Sequence, residues 1–493
     1  MAGGTVVGLD IGSSLIKVVE MKRSGGGVEV TALDIAPTPS EAFANYEIID
    51  PQLLGKAVKE LLSKARITAK RVVTSLSGQM AVVRVIDIPQ LQGKELADTM
   101  RYEVERQVPF GTSQVVMDYQ KVDRPEGYAE GQNMDVLMAV AREDLVNRHV
   151  DVLFSAGLKP AAIDVEPLAA GRAILELGNG VSSDPGHTVV IVNIGANNTD
   201  ILIYRDRLIA FPRNLPIAGE NFTRAIADYM QVDMATAENY KREFAEVLMG
   251  QATQPAGFDP GGFGSPFGGA TVGAGGFMDF SQPAQAPPLD AGTSPSGRMP
   301  FDFSSPGDAP PPAPAAPTPF DMSGQSGPIP SEELEEARQQ AGISSAPDMS
   351  ASGFFMPPTA PTQSDNLPVA MDTSSEKDQI RIAVYNAIAP LLVELSQELK
   401  RSIDYYRGRA GDTPIHEILL VGGSAKIKNL APYLEAEVGI PTRVFNPLQN
   451  VQVSTKNYSA GHLEEIGTLF PVSVGLGAYD LLAAPRPASK KRK

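Results

Sequence analysis

The sequence predicts an α/β protein in two related halves, each built on a mixed β-sheet with helices against its faces. Three observations carry this. A strand–turn–strand device opens the chain at Val6-Val7-Gly8-Leu9-Asp10-Ile11-Gly12-Ser13-Ser14-Leu15-Ile16-Lys17, and Val189-Val190-Ile191-Val192-Asn193-Ile194-Gly195-Ala196-Asn197-Asn198-Thr199 repeats it. Both copies read Val-Val, two residues, Asp or Asn, Ile-Gly, then small polar residues. The first copy leads into the order strand, strand, strand, helix, strand, which is the pattern of a mixed sheet. Finally, 493 residues exceed what a single core supports, so at least two domains are required.

In chain order, residues 5–10, 14–22 and 28–35 read as strands, the last two joined at Gly25-Gly26-Gly27. Leu53, Leu54, Ala57, Val58, Leu61 and Leu62 recur at helical spacing behind the cap-like Asp50-Pro51, predicting a helix over 50–66. A strand follows at 71–77. A separate unit fills 80–163, with a strand at 81–88, a helix at 93–107, strands near 114–123 and 134–141, and a helix at 142–156. On its first helix Arg101, Glu105 and Arg106 make a solvated face. Residues 163–169 read as a strand entering a new helix.

The second half continues from its hairpin in strands near 200–204 and 208–213 and in helical patterns at 219–230 and 233–248. From about 251 to 374 Pro, Gly, Ala and Ser dominate. Such a segment cannot bury enough apolar surface to offset the entropy of ordering, so it reads as disordered. Phe-Asp recurs in it at 258–259, 301–302 and 320–321, as an accident of composition or as short docking motifs, and 331–340 is its one helix-like stretch. A long helix at 376–407 follows, apolar at Ile380, Val384, Ile388, Leu391, Leu392, Leu395, Leu399 and Ile403, with Pro390 predicting a kink or break. A strand at 415–421 then enters the Gly422-Gly423 turn and a helix to about 437. A last helix spans 472–484.

Composition excludes several classes of function. Without cysteine there are no disulfides, thiolate metal sites or Cys nucleophile. The start MAGGTVVG lacks a signal peptide's pattern and no apolar run is long enough to span a bilayer, so a soluble cytoplasmic protein is expected. A formal charge of −16 argues against broad nucleic-acid binding, and the basic end at 486–493 reads as a solvated tail. His149, His187, His416 and His462 lie far apart, and the sequence holds no P-loop or Ser-His-Asp pattern.

The turns themselves suit an anion. Gly12 and Gly195 allow close backbone approach, and successive N–H groups in a tight turn make an anion-binding concavity. Ser13, Ser14, Asn197 and Thr199 add polar side chains, and Asp10 at its strand end is placed to hold a metal through water. One such hairpin is an ordinary turn. Two facing each other across a cleft would grip a polyphosphate, and a double glycine at Gly422-Gly423 suits phosphate or an adenine face.

The hairpin at 10–17, the hairpin at 193–199 and Val421-Gly422-Gly423-Ser424, in this order, resemble the phosphate-1, phosphate-2 and adenosine motifs of the actin-like ATPase superfamily. Lys17 falls where that superfamily carries a phosphate-contacting lysine. Ala218-Gly219 with Thr223 resembles its glycine turn, and Ala237-Glu238-Asn239-Tyr240-Lys241 its ribose-binding acid and lysine. Asp87-Ile88-Pro89, Tyr102-Glu103-Val104-Glu105, Val108-Pro109-Phe110, Ala156-Gly157-Leu158, Asp164-Val165-Glu166 and Arg401-Ser402-Ile403-Asp404-Tyr405-Tyr406 resemble the PilM family of type IV pilus assembly proteins, a branch shared with FtsA.

The resemblance implies an actin-like two-domain fold, a duplicated ribonuclease-H-like fold with an inserted 1C subdomain and a long disordered insertion. Subdomain 1A would be 1–79 with 164–187 and 471–485, and 1C would be 80–163. Subdomain 2A would be 188–213 and 408–470, and 2B would be 214–250 and 375–407, interrupted by the 251–374 insertion. It implies ATP with Mg²⁺, held by Gly12, Ser13, Ser14, Lys17, Gly195, Asn197, Thr199, Gly219, Glu238, Lys241, Gly422, Gly423 and Ser424. The implied partner is the cytoplasmic tail of a PilN-like inner-membrane protein, docked along the 1A/1C side, which would place the protein peripherally at the inner membrane. Asn193 departs from the acid usual at phosphate-2 and predicts weak hydrolysis. The competing readings are an active ATPase or phosphotransferase on the same fold, and an FtsA-like division protein, which would end in an amphipathic helix that 485–493 does not form.

Overall fold

A computed structural model describes residues 4–25, 27–44, 47–108, 114–124, 127–177, 180–248, 373–454 and 458–482. The expected insertion, but for its last two residues, and the basic tail lie outside them. The first half is organised on β1 (Val6–Ile11), whose six residues are all buried. It pairs antiparallel with β2 (Leu15–Ser24), and β2 pairs antiparallel with β3 (Gly27–Pro37). Two short strands, β4 (Phe43–Ala44) and β5 (Glu47–Ile48), pair with each other after β3. On the other side of β1, β6 (Arg71–Leu76) and then β10 (Lys159–Val165) run parallel to it, and the short β16 (Gln452–Val453) extends the β3 edge. The second half repeats the arrangement. β11 (Thr188–Ile194) pairs antiparallel with β12 (Thr199–Arg205), which pairs with β13 (Leu208–Leu215). β14 (Glu417–Val421) and β15 (Thr442–Val444) then run parallel to β11. Counted within each half, both sheets have the order 3-2-1-4-5. The repeat is the duplication that the paired hairpins predicted, and the architecture is the actin-like fold that the family resemblance implied.

Between β6 and β10 the chain builds a third sheet, β7 (Ala81–Ile88), β8 (Val115–Lys121) and β9 (Met134–Arg142), in the order β7-β9-β8. Its core of Val104, Met134, Val136 and Met138 is closed by Met100 of α2 (Gly93–Gln107). Ala81 and Ala141 are cross-strand partners, so the excursion begins and ends at one point. Residues 143–163 pack elsewhere. Val152 and Leu153 of α3 (Glu143–Ser155) share the core of the first sheet with Leu54 and Val58 of α1 (Pro51–Lys64), and β10 is a strand of that sheet. The apolar positions Val152 and Leu153 of α3 find their partners on the buried face of α1.

α4 (Glu166–Leu175) follows β10 directly and lies close against the last helix, Pro471–Leu482. A Cβ at Gly475 of that helix would overlap the Ala169 carbonyl, so only glycine allows the approach. In the second half α5 (Gly219–Met230) and α6 (Met234–Phe244) pack beside the long α7 (Thr373–Ala410), whose Val384, Ile388, Leu392, Leu395 and Leu399 join the core of β11 and β12. Of the kink or break expected at Pro390, the break is absent, since α7 is continuous. Pro390 and Asn386 both face solvent, so water can take the bond that the proline cannot donate to the Asn386 carbonyl, while buried neighbours hold the helix together. The helix expected straight after Gly422-Gly423 is displaced. A 3-10 turn, Ser424–Lys426, comes first, and α8 (Leu430–Val438) begins after the left-handed Asn429. Two more helices follow among the described residues, α9 (Ala460–Ile466) and the last described helix, α10. No helix among the described residues is long and apolar enough to cross a membrane.

Candidate functional site

The first hairpin is closed by the Gly12 N–H donating to the Leu15 carbonyl at 3.1 Å, and the Thr38 hydroxyl donates to the Gly12 carbonyl at 2.6 Å. Ser13 and Ser14 stand on its apex, half-buried and exposed. Asp10 and Lys17 face each other across the strands and form an ion pair at 2.6 Å, with Asp10 2% exposed. The residues expected at metal and phosphate therefore neutralise one another in the structure.

The second hairpin is built alike, the Gly195 N–H donating to the Asn198 carbonyl at 2.9 Å. Asn197 is half-buried at its apex. Thr199 is different, because it is fully buried and its hydroxyl donates to the Ile217 carbonyl at 2.6 Å. It holds the hairpin rather than facing the cleft. The start of α5 is tied to this turn, Gly219 N–H to the Gly195 carbonyl at 3.0 Å and Glu220 N–H to the Ala196 carbonyl at 2.7 Å.

Gly219 is where four separated motifs meet. A Cβ there would lie 2.7 Å from Ser424 Oγ, 3.1 Å from the Gly195 carbonyl and 3.5 Å from Lys241 Nζ. Lys241 Nζ donates to the Gly219 carbonyl at 2.9 Å and the Thr223 hydroxyl at 2.7 Å, and pairs with Glu238 at 2.6 Å. Burial opposes ionisation of Glu238, but hydrogen bonds from Lys241 and Thr223 outweigh it and hold its carboxyl below the usual value. Burial also lowers the Lys241 ammonium, with Glu238 acting against it. Gly422, at φ +93°, lies against the Ile194 carbonyl, a position closed to any side chain. Gly423 is exposed, its missing Cβ only in ordinary contact with Leu469, 3.5 Å away. A flat ring can lie on that backbone.

Two acids that the sequence reading did not assign to the site complete the cleft, although Glu166 stands in a quoted motif. Glu166 starts α4 at the carboxyl end of β10, and Asp200 is the cross-strand partner of Asn193. Burial, and then the Asp10 and Asp200 carboxylates, push Glu166 well above the carboxylate range, while Lys17 pulls it down. Both hairpins thus converge electrostatically on Glu166. Asp200 is 1% exposed, accepts a bond from Asn214 Nδ2 at 2.7 Å, and leaves Oδ2 without a partner. Burial raises it to about 6 against the bonds from Asn214, Asn193 and Asn198. The negative charge missing at Asn193 is therefore present one cross-strand step away. Hairpin register could have revealed Asp200, and the carboxyl-end rule for parallel strands could have revealed Glu166. The fit to Mg²⁺ is through water. No three acids or histidines among the described residues stand close enough to ligate an ion directly, but an orphaned buried carboxylate oxygen beside two more carboxyls suits a hydrated one.

A cavity of about 710 Å³ lies beside the cleft. It is lined by residues of β7, β13 and α7, by the end of α2, and by Gly78, Pro167 and Asp200. β7 and β13 are both outermost strands of their sheets.

The sequence profile described as type IV pilus assembly protein PilM matches residues 8–246 and 382–478. Among solved structures, a PilM-PilN type IV pilus biogenesis complex aligns with 96% of this chain and 98% of its own, at TM-score 0.63 and 24% identity, a likeness of fold. The cell division protein FtsA of Streptococcus pneumoniae is 21% identical over 265 residues, and that of Bacillus subtilis 20% over 275. These matches span 56% and 61% of the FtsA chains and about half of this one. Because the profile covers both halves of the duplicated fold and the sheet inserted in the first, the chain belongs to the PilM family of type IV pilus assembly proteins.

Proposed function

We propose that this protein is an ATP-binding adaptor of the type IV pilus assembly platform, which captures the cytoplasmic tail of a PilN-like inner-membrane protein and is held at that membrane by it. The observation that carries the nucleotide half is the meeting of Gly195, Ser424 and Lys241 around the bare Gly219. The phosphates would lie between the hairpin turns at Gly12 and Gly195, and the base on Gly423. Lys17 would move from Asp10 to phosphate, and Asp10, Asp200 and Glu166 would hold Mg²⁺ through water, the ion supplying charge neutralisation of the phosphates. In this reading the family's four lobes apply, with residues 143–163 assigned to the first lobe because they pack there.

In place of the 1A/1C side that the resemblance implied, the tail would enter the cavity where β7 meets the second lobe, where unpaired sheet edges offer backbone hydrogen bonds and Val82, Val85, Leu202 and Phe211 offer apolar anchors. The test is calorimetry on the intact protein. Mg-ATP binding is expected, and Gly423→Trp should abolish it without lowering Tm, since the position is open. A wild-type protein that binds no Mg-ATP ends the nucleotide reading, and one that ignores a PilN-like tail peptide ends the adaptor reading.

A further inference from the structure

The cleft lies at the carboxyl ends of β1 and β10, where Asp10 and Glu166 stand. The opposite rim of the first sheet, where β6 and β10 start and β2 ends, carries the opposite charge. Arg71 and Lys159 are partners at the two strand starts, and the Lys159 N–H donates to the Lys70 carbonyl at 2.7 Å. Arg71 is level with Val6 of β1, since Val72 pairs with Val7. Val6 pairs in turn with Met21, so Lys22 and Arg23 of β2 lie on the same rim. The turns into β6 and β10, residues 65–70 and 156–159, hold Arg66, Lys70 and Lys159 and no acid. Arg23, Arg66, Lys70, Arg71 and Lys159 are exposed. Against them stand Glu29, paired with Lys22 at 3.4 Å, and Asp480 of α10, paired with Arg71. The balance is positive, in a chain whose formal charge is −16. α10 delivers more charge to this rim. It ends at Leu482, two residues beyond Asp480, and the sequence continues with Arg486, Lys490, Lys491, Arg492 and Lys493 and no acid.

We propose that this rim rests directly on an anionic membrane surface, as a second attachment beside the captured tail. This goes beyond the proposed function, in which the partner alone holds the protein at the membrane, and takes from it only the choice of a membrane. Screening confines each charge to about 8 Å at physiological salt, so a flat anionic surface meets the basic rim and not the acids elsewhere in the chain. Each Lys or Arg near such a surface strengthens binding about 5-fold. The attraction is modest by itself, but a protein tethered by its partner already sits at high effective concentration beside the lipid. Rim and cleft are opposite ends of the same parallel strands, so this contact turns the cleft away from the membrane and leaves it open to nucleotide.

Co-sedimentation of the full-length protein with vesicles tests the proposal with neither tail nor nucleotide present. Binding is expected to vesicles of phosphatidylcholine mixed with phosphatidylglycerol and not to phosphatidylcholine alone. It should fall steeply as salt rises from about 0.1 M to about 1 M, where the screening length shrinks to about 3 Å. Lys70→Ala combined with Lys159→Ala removes two exposed cations and should weaken binding about 25-fold at unchanged Tm. Lys70→Arg combined with Lys159→Arg keeps the charge and should bind as wild type does. If the alanine pair does not fold, Lys159→Ala alone, with about a 5-fold loss expected, replaces it. Wild-type protein that ignores the anionic vesicles, or binds the neutral ones equally well, overturns the proposal. An alanine variant that binds like wild type overturns it too, because the basic end then acts without the rim. Displacement of the vesicles by a DNA duplex at lower concentration makes nucleic acid the partner and overturns it as well. None of these results bears on Mg-ATP or tail-peptide binding, so the proposed function stands or falls separately.

Discussion

Asp200 carries a pH signature that follows from its burial. Its folded pKa of about 6 lies above the ordinary 3.8, so its contribution is fully present below pH 3.8 and is lost as pH rises through 6. At 1.36 kcal/mol per pKa unit the loss amounts to about 3 kcal/mol by pH 7.5. Asp200→Asn keeps the shape and removes the charge. Urea unfolding at a series of pH values should show the variant level with wild type near pH 4 and more stable by about 3 kcal/mol at pH 7.5. A difference that stays constant with pH would defeat the assignment. Its neighbour Asn193 bears on chemistry instead. Wild-type ATP turnover should fall well below about 1 per second, the low end for enzymes, and Asn193→Asp should raise it in the presence of Mg²⁺. An ordinary enzymatic rate in the wild type would favour the phosphotransferase reading. The glycines, Lys17, Glu238 and Lys241 were legible because motif spacing places them. Asp200 and Glu166 were not, since one acts across a hairpin and the other from the start of α4, 156 residues on from Asp10.

Among elements, α7 offers the sharpest test of local preference against packing. A proline in a helix interior costs about 3 kcal/mol relative to alanine. At Pro390 the ring faces solvent, so its removal leaves no cavity. Pro390→Ala should therefore stabilise the protein by about 1–3 kcal/mol, read as a rise in the urea midpoint at unchanged slope. A neutral or destabilising result would mean that the proline supports a bend which the core requires. The apolar periodicity of α7 was plain in the sequence, but its continuity was not, because local rules for proline say nothing of the sheet on which Val384 to Leu399 pack. α3 makes the same point. Its existence follows from Leu145, His149, Val152 and Leu153 at helical spacing, whereas its partner α1 lies some 90 residues earlier.

At the scale of the whole molecule, the inserted sheet is a closed excursion and can be removed at the Ala81–Ala141 pair. Replacing 82–140 by a short linker should leave a folded protein that binds Mg-ATP and no longer captures a PilN-like tail. Capture at native affinity would place the tail elsewhere. Removing 255–370, by contrast, should leave the melting temperature nearly unchanged, since its composition offers little apolar area to bury. A large drop would show that it packs on the body. By itself the sequence determined the duplication, the kinds of elements and the paired glycine turns, because strand pattern, glycine turns and motif order are encoded within a few neighbouring residues. Only the tertiary structure decided that α3 and β10 belong to the first sheet and that the inserted sheet braces the second lobe, Val85 and Leu137 packing against the cluster that holds Leu202 and Tyr204. It alone brought Asp10, Glu166 and Asp200 to one cleft. Those outcomes depend on which apolar faces and charges meet across long stretches of chain, and contact between distant segments leaves no periodic mark in either of them.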